Sequence, residues 1–274
     1  MIKSLPNLYS FLRLPETIVS CITTNISNYY SPKLKPKKKF GDFQRDDAGN
    51  IKYRQLFVPD FILKSRQQYI ARLLNQVHLP HYMYGSIEGK NNIQNAQQHL
   101  NKKYFLTIDL KNFFSNINHR QVYKVFCRLG FSPSVTRILT QLTTYQASLP
   151  QGAPSSPVIA NLIFLNTAEK LYSLAKSNNI TFTTFLDDLT FSSNYDFKDI
   201  IPKIISLISN NRFQVAYEKI HYRKGYCEIT GLFVKRGVLE LPYVMQHKAK
   251  SNYCLWAYEN QVQQYNLLKL TIYK

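Results

Sequence analysis

The chain has 274 residues, of which 45% are hydrophobic and 19% are charged, so an intrinsically disordered protein is excluded and one large or two small globular domains are expected. No run approaches the roughly 18 consecutive apolar residues of a membrane helix, and the N-terminus lacks a secretory signal pattern, which predicts a soluble, cytoplasmic protein. The 35 Lys and Arg residues outnumber the 16 Asp and Glu residues, and the net charge of +19 favours a polyanionic partner, nucleic acid before an anionic membrane surface.

A basic segment occupies residues 31–39, with the sequence SPKLKPKKK. Because proline lacks an amide donor and the lysines repel one another, we expect neither helix nor strand there. The segment is either a solvated basic loop or an arm that contacts phosphate groups.

Apolar periodicity predicts five helices in the rest of the chain. The spacing i, i+3, i+4, i+7 within residues 70–77 predicts a helix that begins after Pro59. The same pattern, with Ser-Pro starts and a glycine stop at Gly130, predicts helices at 122–129, from 133, from 156 and through 201–208.

Short β-rich segments lie between these helices, at residues 104–110, 181–193, 213–217, 227–234 and 237–242. Strands that alternate with helices, some of them joined as hairpins, predict an α+β fold with helices on one face of the sheet. Residues 246–274 are expected to form a small, mostly helical appendix.

Three carboxylates lie among apolar residues, although this basic chain has few acids. Asp109 ends the segment FLTID, and Asp187 and Asp188 interrupt the segment TFLDDLTF. An ionised carboxylate in such surroundings is costly unless it is paired or binds a cation. The adjacent pair alone is weak support for a site, since Asp is common in turns. If the first strand lies beside the hairpin, however, the three side chains converge as ligands for two Mg²⁺ ions about 4 Å apart.

A proline-rich loop, LPQGAPSSP at residues 149–157, precedes the predicted fourth helix. Gly152 allows the backbone to approach a ligand, and the amides at the start of the helix suit an anion. Taken alone, this is an ordinary loop that leads into a helix. Taken together with the carboxylates, it suggests a surface against which a template and a nucleotide would lie.

The order DLKNFF, LPQGAPSSP and FLDDLTFS resembles motifs A, B and C of reverse transcriptases, particularly the prokaryotic ones. Residues 95–99, NAQQH, are similar to the NAxxH element of retron reverse transcriptases, and residues 229–231, ITG, to their VTG element. The similarity extends from about residue 52 to about residue 234. It implies a right-hand polymerase fold with fingers, a palm whose antiparallel sheet has helices on one face, and a short thumb.

The resemblance also implies domain boundaries. Residues 1–50 would form a helical, basic N-terminal extension and residues 51–103 the fingers. Residues 104–234 would form the palm, with an insertion belonging to the fingers, and residues 235–274 the short thumb.

The resemblance further implies the ligands of the metal ions. Asp109, Asp187 and Asp188 would hold two Mg²⁺ ions, or Mn²⁺, with help from the Leu110 carbonyl. Lys219 falls where the family has a lysine that protonates the leaving pyrophosphate.

Five residues match positions that contact the incoming nucleotide. Phe114 corresponds to the aromatic residue that excludes a ribose 2′-hydroxyl, with a core aromatic as the alternative. Gln151 and Gly152 would lie against the nucleotide. Arg54 would grip the triphosphate, and Lys52 competes for that role.

Four residues of the retron-like elements would lie in the region that binds the cognate RNA: Asn95, His99, Thr230 and Gly231. For His99 a satisfied structural histidine is the alternative. The sequence departs from the family at Phe185-Leu186, where a tyrosine and an alanine are usual, and this puts a bulkier side chain near the primer end.

The resemblance implies an RNA-directed DNA polymerase of retron type. Its partners would be a structured noncoding RNA that serves as template and primer, deoxynucleotides, the branched RNA–DNA product known as msDNA, and a separately encoded effector protein in antiphage defence. The alternatives are another defence-associated reverse transcriptase that makes long or repetitive DNA, and a non-catalytic RNA-binding relative.

Overall fold

The computed structural model of the protein describes residues 1–235 and 237–272. The helices of this part of the chain are α1 (Leu5–Leu12), α2 (Glu16–Thr24), α3 (Phe61–Leu74), α4 (Asn92–Gln97), α5 (His119–Arg128), α6 (Pro133–Thr143), α7 (Ser156–Ser177), α8 (Ile201–Asn210), α9 (Tyr243–Ala249) and α10 (Tyr253–Ile272). Its strands are β1 (Tyr30–Pro36), β2 (Lys38–Lys39), β3 (Asp42–Phe43), β4 (Tyr53–Pro59), β5 (Tyr104–Asp109), β6 (Thr181–Phe185), β7 (Asp188–Ser193), β8 (His221–Lys224), β9 (Tyr226–Ile229), β10 (Leu232–Lys235) and β11 (Val238–Glu240). No helix of the described ranges has both the length and the apolar character that crossing a membrane requires.

The five predicted helices are present, and the carboxyl-terminal stretch is helical as predicted, although residues 273 and 274 lie outside the described residues. The chain divides into two compact units, each assembled from separate segments. The first unit comprises Met1–Lys37, Arg45–Leu79 and Asn112–Leu165, and the second comprises Lys38–Gln44, Pro80–Lys111 and Asn166–Lys274.

In the first unit, helices pack around the antiparallel pair of β1 and β4. The Asp60 side chain caps α3 by accepting a hydrogen bond from the Leu63 amide at 2.8 Å. The buried Gln67 side chain donates to the Tyr30 hydroxyl at 2.6 Å and to the Leu142 carbonyl at 2.8 Å. These bonds tie α3 to β1 and α6, so the strand pair is fixed to the helices.

The prediction that the basic segment 31–39 forms no strand was wrong. Its first part belongs to β1, which pairs along its whole length with β4. The Lys37 amide donates to the Lys52 carbonyl at 2.8 Å, so odd-numbered amides face β4, while Pro32 and Pro36 occupy positions whose amides point away. A proline is compatible with a two-stranded ladder at such positions.

The second unit contains an antiparallel four-stranded sheet with the strand order β6-β7-β5-β8. β6 and β7 form the predicted hairpin, with residues 186 and 187 between them. β5 lies between β7 and β8, and its buried residues Phe105, Leu106 and Ile108 are at most 1% exposed. The central strand of the sheet is therefore held by core packing, and this fixes the position of Asp109 at its end.

A three-stranded sheet, in the order β11-β10-β9, packs with α4 and α10 in the same unit. Their common core contains Ile93 and Ala96 of α4, Leu232 and Val234 of β10, and Val262 of α10. Together with the four-stranded sheet, this arrangement confirms the predicted α+β class with antiparallel strands.

Two strand predictions after residue 212 need correction. Residues 213–217 make only an isolated bridge, between Val215 and Leu110, and a 3-10 turn, Tyr217–Lys219, follows. β8 was not predicted, because only Tyr222 of its four residues is apolar and this strand lies at the edge of the sheet. The single strand predicted at 227–234 is two strands, since Thr230 and Gly231 turn with positive φ angles of 46° and 85°.

Candidate active site

The three carboxylates lie at one end of the four-stranded sheet. β5 ends at Asp109, which is paired directly with Asp188, the first residue of β7. Asp187 lies in the turn of the hairpin, and its carbonyl accepts a hydrogen bond from the Leu110 amide at 2.9 Å. Leu186 forms the other half of the turn with a left-handed φ of 57°. The predicted pairing of the first strand with the hairpin is confirmed, and it brings the three residues together.

Leu110 continues β5 by an isolated bridge to Val215. The Lys111 amide donates to the Gln214 carbonyl at 2.8 Å, and the Ala216 amide donates to the Asp109 carbonyl at 2.9 Å. In this pattern the amide and carbonyl of Leu110 itself point away from Val215. The Leu110 amide donates to the Asp187 carbonyl, so the Leu110 carbonyl also faces the hairpin that carries Asp187 and Asp188.

Asp188 has an unusually high affinity for a proton. The pKa of its carboxyl is raised to about 7, first because protein atoms displace bulk water around it, and then because Asp187 and Asp109 are negatively charged neighbours. Lys219 opposes this rise. Solvent still reaches the side chain, so a cation could approach Asp188 and favour its ionised form.

Lys219 lies against Asp109, with 2.9 Å between Nζ and Oδ1. The hydrogen bond from Ala216 to the Asp109 carbonyl holds the 3-10 turn that carries this lysine next to the end of β5. The resemblance implied a catalytic role for Lys219, but the sequence did not predict its ion pair with Asp109. In this conformation the ammonium group neutralises Asp109.

The three aspartates and the Leu110 carbonyl offer only hard oxygen donors, which suit Mg²⁺. Within the described ranges, no three His, Cys, Asp or Glu side chains are already arranged to enclose a metal ion. The donor chemistry therefore fits Mg²⁺ or Mn²⁺, provided that Asp109 exchanges its lysine partner for the ion.

A cleft of about 960 Å³ opens beside these residues, and all of its walls belong to the second unit. Asp109, Asp188 and Lys219 line this cleft. Its other charged residues are mainly basic: Lys38, Lys39, Lys90, Arg223 and Glu228. The basic lining residues attract a phosphate backbone, while the carboxylates attract cations.

The two retron-like elements contact each other in one wall of this cleft. The Asn95 side chain donates to the Thr230 hydroxyl at 3.3 Å, and that hydroxyl donates to the Asn92 carbonyl, also at 3.3 Å. Asn92 donates to the Thr230 carbonyl at 3.0 Å and to the Tyr258 hydroxyl at 2.6 Å. Thr230 and Gly231 line the cleft, whereas Asn95 is 1% exposed.

His99 lies in the interior and has no exposed surface. Its Nδ1 is 2.7 Å from the Ser192 hydroxyl and its Nε2 is 2.8 Å from the Thr183 hydroxyl, so it links the segment directly after α4 to both strands of the hairpin. Burial lowers the pKa of the imidazole to about 3, which keeps it neutral at physiological pH. His99 therefore supports the hairpin from behind and presents no surface to RNA.

The hairpin turn is also backed by Gly85. Residues 82–84 run beside β6, and the Tyr84 amide donates to the Thr184 carbonyl at 2.8 Å. A Cβ atom added at Gly85 would lie 2.5 Å from the Leu186 nitrogen and 2.7 Å from the Phe185 carbonyl carbon. Only glycine fits there, and sequence reasoning missed it because an isolated glycine gives no signal of this contact.

In the first unit, the proline-rich loop packs on β4. The Phe57 amide donates to the Gln151 carbonyl at 2.8 Å. Gly152 has a φ of 117°, and a Cβ there would lie 3.1 Å from the Phe57 carbonyl oxygen. The same strand carries Arg54, which is exposed and pairs with Lys35 of β1. Gln151, Gly152 and Arg54 thus belong to adjoining segments, with Lys52 directly before β4.

Phe114 also belongs to the first unit. Its ring packs edge to face against Phe113, with 5.6 Å between the ring centres. Phe113 is buried, whereas Phe114 is only partly buried. Phe114 therefore keeps an accessible surface and is not a fully buried core residue.

Comparisons with known proteins place these features in a family. A sequence model of the reverse transcriptase (RNA-dependent DNA polymerase) family matches residues 35–248. The chain is 31% identical over 252 residues to the retron Se72 reverse transcriptase of Salmonella heidelberg, covering 88% of this chain and 64% of the relative. It is 32% identical over 188 residues to the retron Ec86 reverse transcriptase of Escherichia coli, covering 67% and 59%. The chain thus spans less than two thirds of either relative.

A solved structure supports the fold alone. Telomerase from Candida albicans, in complex with a fragment of telomeric RNA, matches 84% of this chain and 50% of its own, with a TM-score of 0.51 and 9% identity. This likeness agrees with the predicted right-hand polymerase fold. Since the family match covers most of the sequence, including the paired strands that carry Asp109 and Asp188, the chain belongs to the reverse transcriptase family.

Proposed function

We propose that the protein is an RNA-directed DNA polymerase. The observation that carries this proposal is the direct pairing of Asp109 with Asp188, with Asp187 in the adjoining turn, in a chain of the reverse transcriptase family. Three acids that repel one another at one end of a sheet are costly unless they serve to bind cations. Residues 51–103 would form the fingers, residues 104–234 the palm with its fingers insertion, and residues 235–274 the short thumb.

Asp109, Asp187, Asp188 and the Leu110 carbonyl would hold two Mg²⁺ ions, or Mn²⁺. When bound, these ions would lower the pKa of the attacking hydroxyl group and stabilise the leaving oxygen of the triphosphate. Lys219 would release Asp109 and protonate the leaving pyrophosphate. The proximity of Lys219 to Asp109, with 2.9 Å between Nζ and Oδ1, supports its place in this chemistry.

Residues of the first unit would select the nucleotide. Arg54, with Lys52 as the alternative, would bind the triphosphate, and Gln151 and Gly152 would lie against the nucleotide. Phe114 would exclude a ribose 2′-hydroxyl, and its partly exposed ring supports this role.

The enzyme would act as a retron reverse transcriptase. It would copy part of a structured noncoding RNA into a branched RNA–DNA product, in antiphage defence with a separately encoded effector. The support is the identity shared with the bacterial retron reverse transcriptases and the contact between Asn95 and Thr230 in the wall of the cleft. Thr230 and Gly231 would contact the RNA, while Asn95 and His99 would hold their surroundings in place. These bacterial relatives also support a cytoplasmic location.

A primer-extension assay on an RNA template tests the polymerase proposal. The double change Asp187→Asn and Asp188→Asn keeps the shape of the turn but removes two charges, so extension should be lost. Asp199→Asn, at an exposed position, is the control and should leave extension unchanged. Normal extension by the double variant would refute the assignment of the metal ligands.

Sequencing of the DNA that copurifies with the protein tests the finer proposal. A short DNA joined to RNA through a branch supports the retron reaction. Long or repetitive DNA would instead support another defence-associated reverse transcriptase. RNA without any DNA, together with inactivity in primer extension, would favour a non-catalytic RNA-binding protein.

A further inference from the structure

Three arginines surround a single tyrosine ring in the first unit. The guanidinium carbons of Arg13, Arg66 and Arg72 lie 5.7, 5.3 and 5.7 Å from the centre of the Tyr69 ring. We name these four residues the three-arginine cluster. None of them belongs to the motifs or to the nucleotide-binding residues discussed above.

Local structure places all three guanidinium groups near the same ring. Arg66, Tyr69 and Arg72 follow one another at three-residue intervals on α3, which places them on one side of that helix. Arg13 ends α1 in a left-handed conformation with a φ of 52°, a strained geometry for a residue other than glycine. The Arg66 guanidinium donates to the Leu12 carbonyl at 2.6 Å, which joins α3 to the end of α1.

The charge of the cluster is not balanced by acidic groups. Among the ion pairs of the described residues, none joins an Asp or Glu to any of the three arginines. Attraction to the Tyr69 ring offsets part of their mutual repulsion. The Arg66 Nε atom is buried and lacks a hydrogen-bond partner among the described residues, while Arg13 and Arg72 are exposed. The cluster therefore has unused donors and accessible positive charge.

We propose that the three-arginine cluster is a binding site for a phosphate group of the nucleic-acid backbone. Guanidinium groups bind phosphate with paired, charge-assisted hydrogen bonds, and the net charge of +19 makes nucleic acid the favoured source of that phosphate. A terminal 5′-phosphate has the same chemistry and is distinguished by the experiment. The inference does not depend on polymerase activity, because the measured quantity is binding.

The test measures the binding of short single-stranded RNA, labelled at its 3′ end and carrying either a 5′-hydroxyl or a 5′-phosphate. The test variant carries Arg13→Gln and Arg72→Gln, and leaves Arg66 to hold Leu12. The matched control carries Arg120→Gln and Arg137→Gln, two exposed positions of the same unit. Both variants lose the same total charge.

The test variant should bind the 5′-hydroxyl RNA about tenfold more weakly than the control in low salt. The slope of log affinity against log salt should become shallower by about 0.7, since each phosphate contact on a single strand contributes about 0.7 and the cluster binds one phosphate. A 5′-phosphate that strengthens binding only when the cluster is intact would assign the site to a chain end. Equal binding of both RNAs by the test variant and the control would overturn the proposal.

Thermal unfolding separates this proposal from a structural role. If the cluster serves to bind phosphate, its substitution should weaken RNA binding without destabilising the fold. The melting temperature of the test variant should then equal or exceed that of the unchanged protein. If the cluster only supports packing, its substitution should lower the melting temperature, while the RNA affinity of the test variant should equal that of the control variant. If the Gln variant does not fold, the double change Arg13→Lys and Arg72→Lys is used, because it keeps both positive charges. This variant should show the same dependence of RNA affinity on salt but a lower affinity, since lysine cannot form the paired hydrogen bonds of a guanidinium group. An unchanged RNA affinity would refute the need for guanidinium groups.

Discussion

The ion pair between Lys219 and Asp109 should oppose metal binding in the absence of substrates. Lys219→Met removes the ammonium group that lies 2.9 Å from the Asp109 carboxylate, while it keeps most of the side-chain length. The Lys219 side chain is 55% exposed and that of Asp109 is 22% exposed, so the pair resembles surface ion pairs, which contribute about 0.2–1 kcal/mol. Since a metal ion at Asp109 must displace the lysine, the variant should bind Mn²⁺ up to about fivefold more tightly.

The assay is a titration of the protein with Mn²⁺, without nucleotide or nucleic acid, followed by the electron paramagnetic resonance signal of the free ion. Lys203→Met, at an exposed position of α8, is the control for the loss of one positive charge. The rate of nucleotide addition should fall in Lys219→Met even as metal affinity rises, because the same lysine would protonate the pyrophosphate. Unchanged or weaker Mn²⁺ binding relative to Lys203→Met would refute the competition between lysine and metal.

Three further changes have expected outcomes. Phe114→Ala should raise the incorporation of ribonucleotides relative to deoxynucleotides by at least about tenfold, measured in competition assays, because the ring would no longer clash with a 2′-hydroxyl; an unchanged ratio would contradict this role. Asp188→Asn should make the metal-free protein more resistant to urea at pH 8, because the pKa of Asp188 is raised to about 7 and its contribution to stability is lost as the pH rises from about 4 to about 7; an equal dependence on pH in both proteins would contradict the raised pKa. His99→Ala should lower the free energy of unfolding by about 3 kcal/mol in urea titrations, since it leaves a cavity and removes the partners of Ser192 and Thr183; a loss below about 1 kcal/mol would show that the hairpin does not depend on this support.

The sequence predicted the strands that carry the carboxylates because their signals are local. β5, β6 and β7 are short apolar segments, and Asp187 marks the turn between the last two. The five predicted helices were recognisable because their apolar residues repeat with the helical period and caps such as Ser132 mark their starts, whereas the six-residue α4 was not predicted. The convergence of Asp109 and Asp188 followed from placing these strands side by side.

The errors concern residues whose structure depends on distant partners. β1 is a strand because β4 pairs with it and because both of its prolines face away from that partner. The 3-10 turn that carries Lys219 is held by the carbonyl of Asp109, more than a hundred residues earlier in the chain. No local pattern specifies such contacts. The predictions from local sequence were therefore wrong for the secondary structure of the basic segment and of the region after residue 212.

His99 shows how a motif can mark support instead of contact. The resemblance placed it in the region that binds RNA, and a structural histidine was the alternative. Its two hydrogen bonds with hydroxyl groups inside the hairpin satisfy both ring nitrogens. A structural histidine is therefore confirmed, but the sequence could not predict its partners, because Ser192 and Thr183 are indistinguishable from other hydroxyl residues until the hairpin is folded.

The glycine behind the hairpin turn limits how this protein can vary. Gly85 lies about a hundred positions from Asp187 in the sequence, yet a methyl group there would push directly on Phe185 and Leu186. A substitution at Gly85 would therefore be scored as a loss of catalysis in a mutational screen, although that residue would touch neither substrate nor cation. Variant libraries that test the proposed polymerase activity should keep Gly85 fixed, and a relative with a larger residue there would need a differently shaped turn.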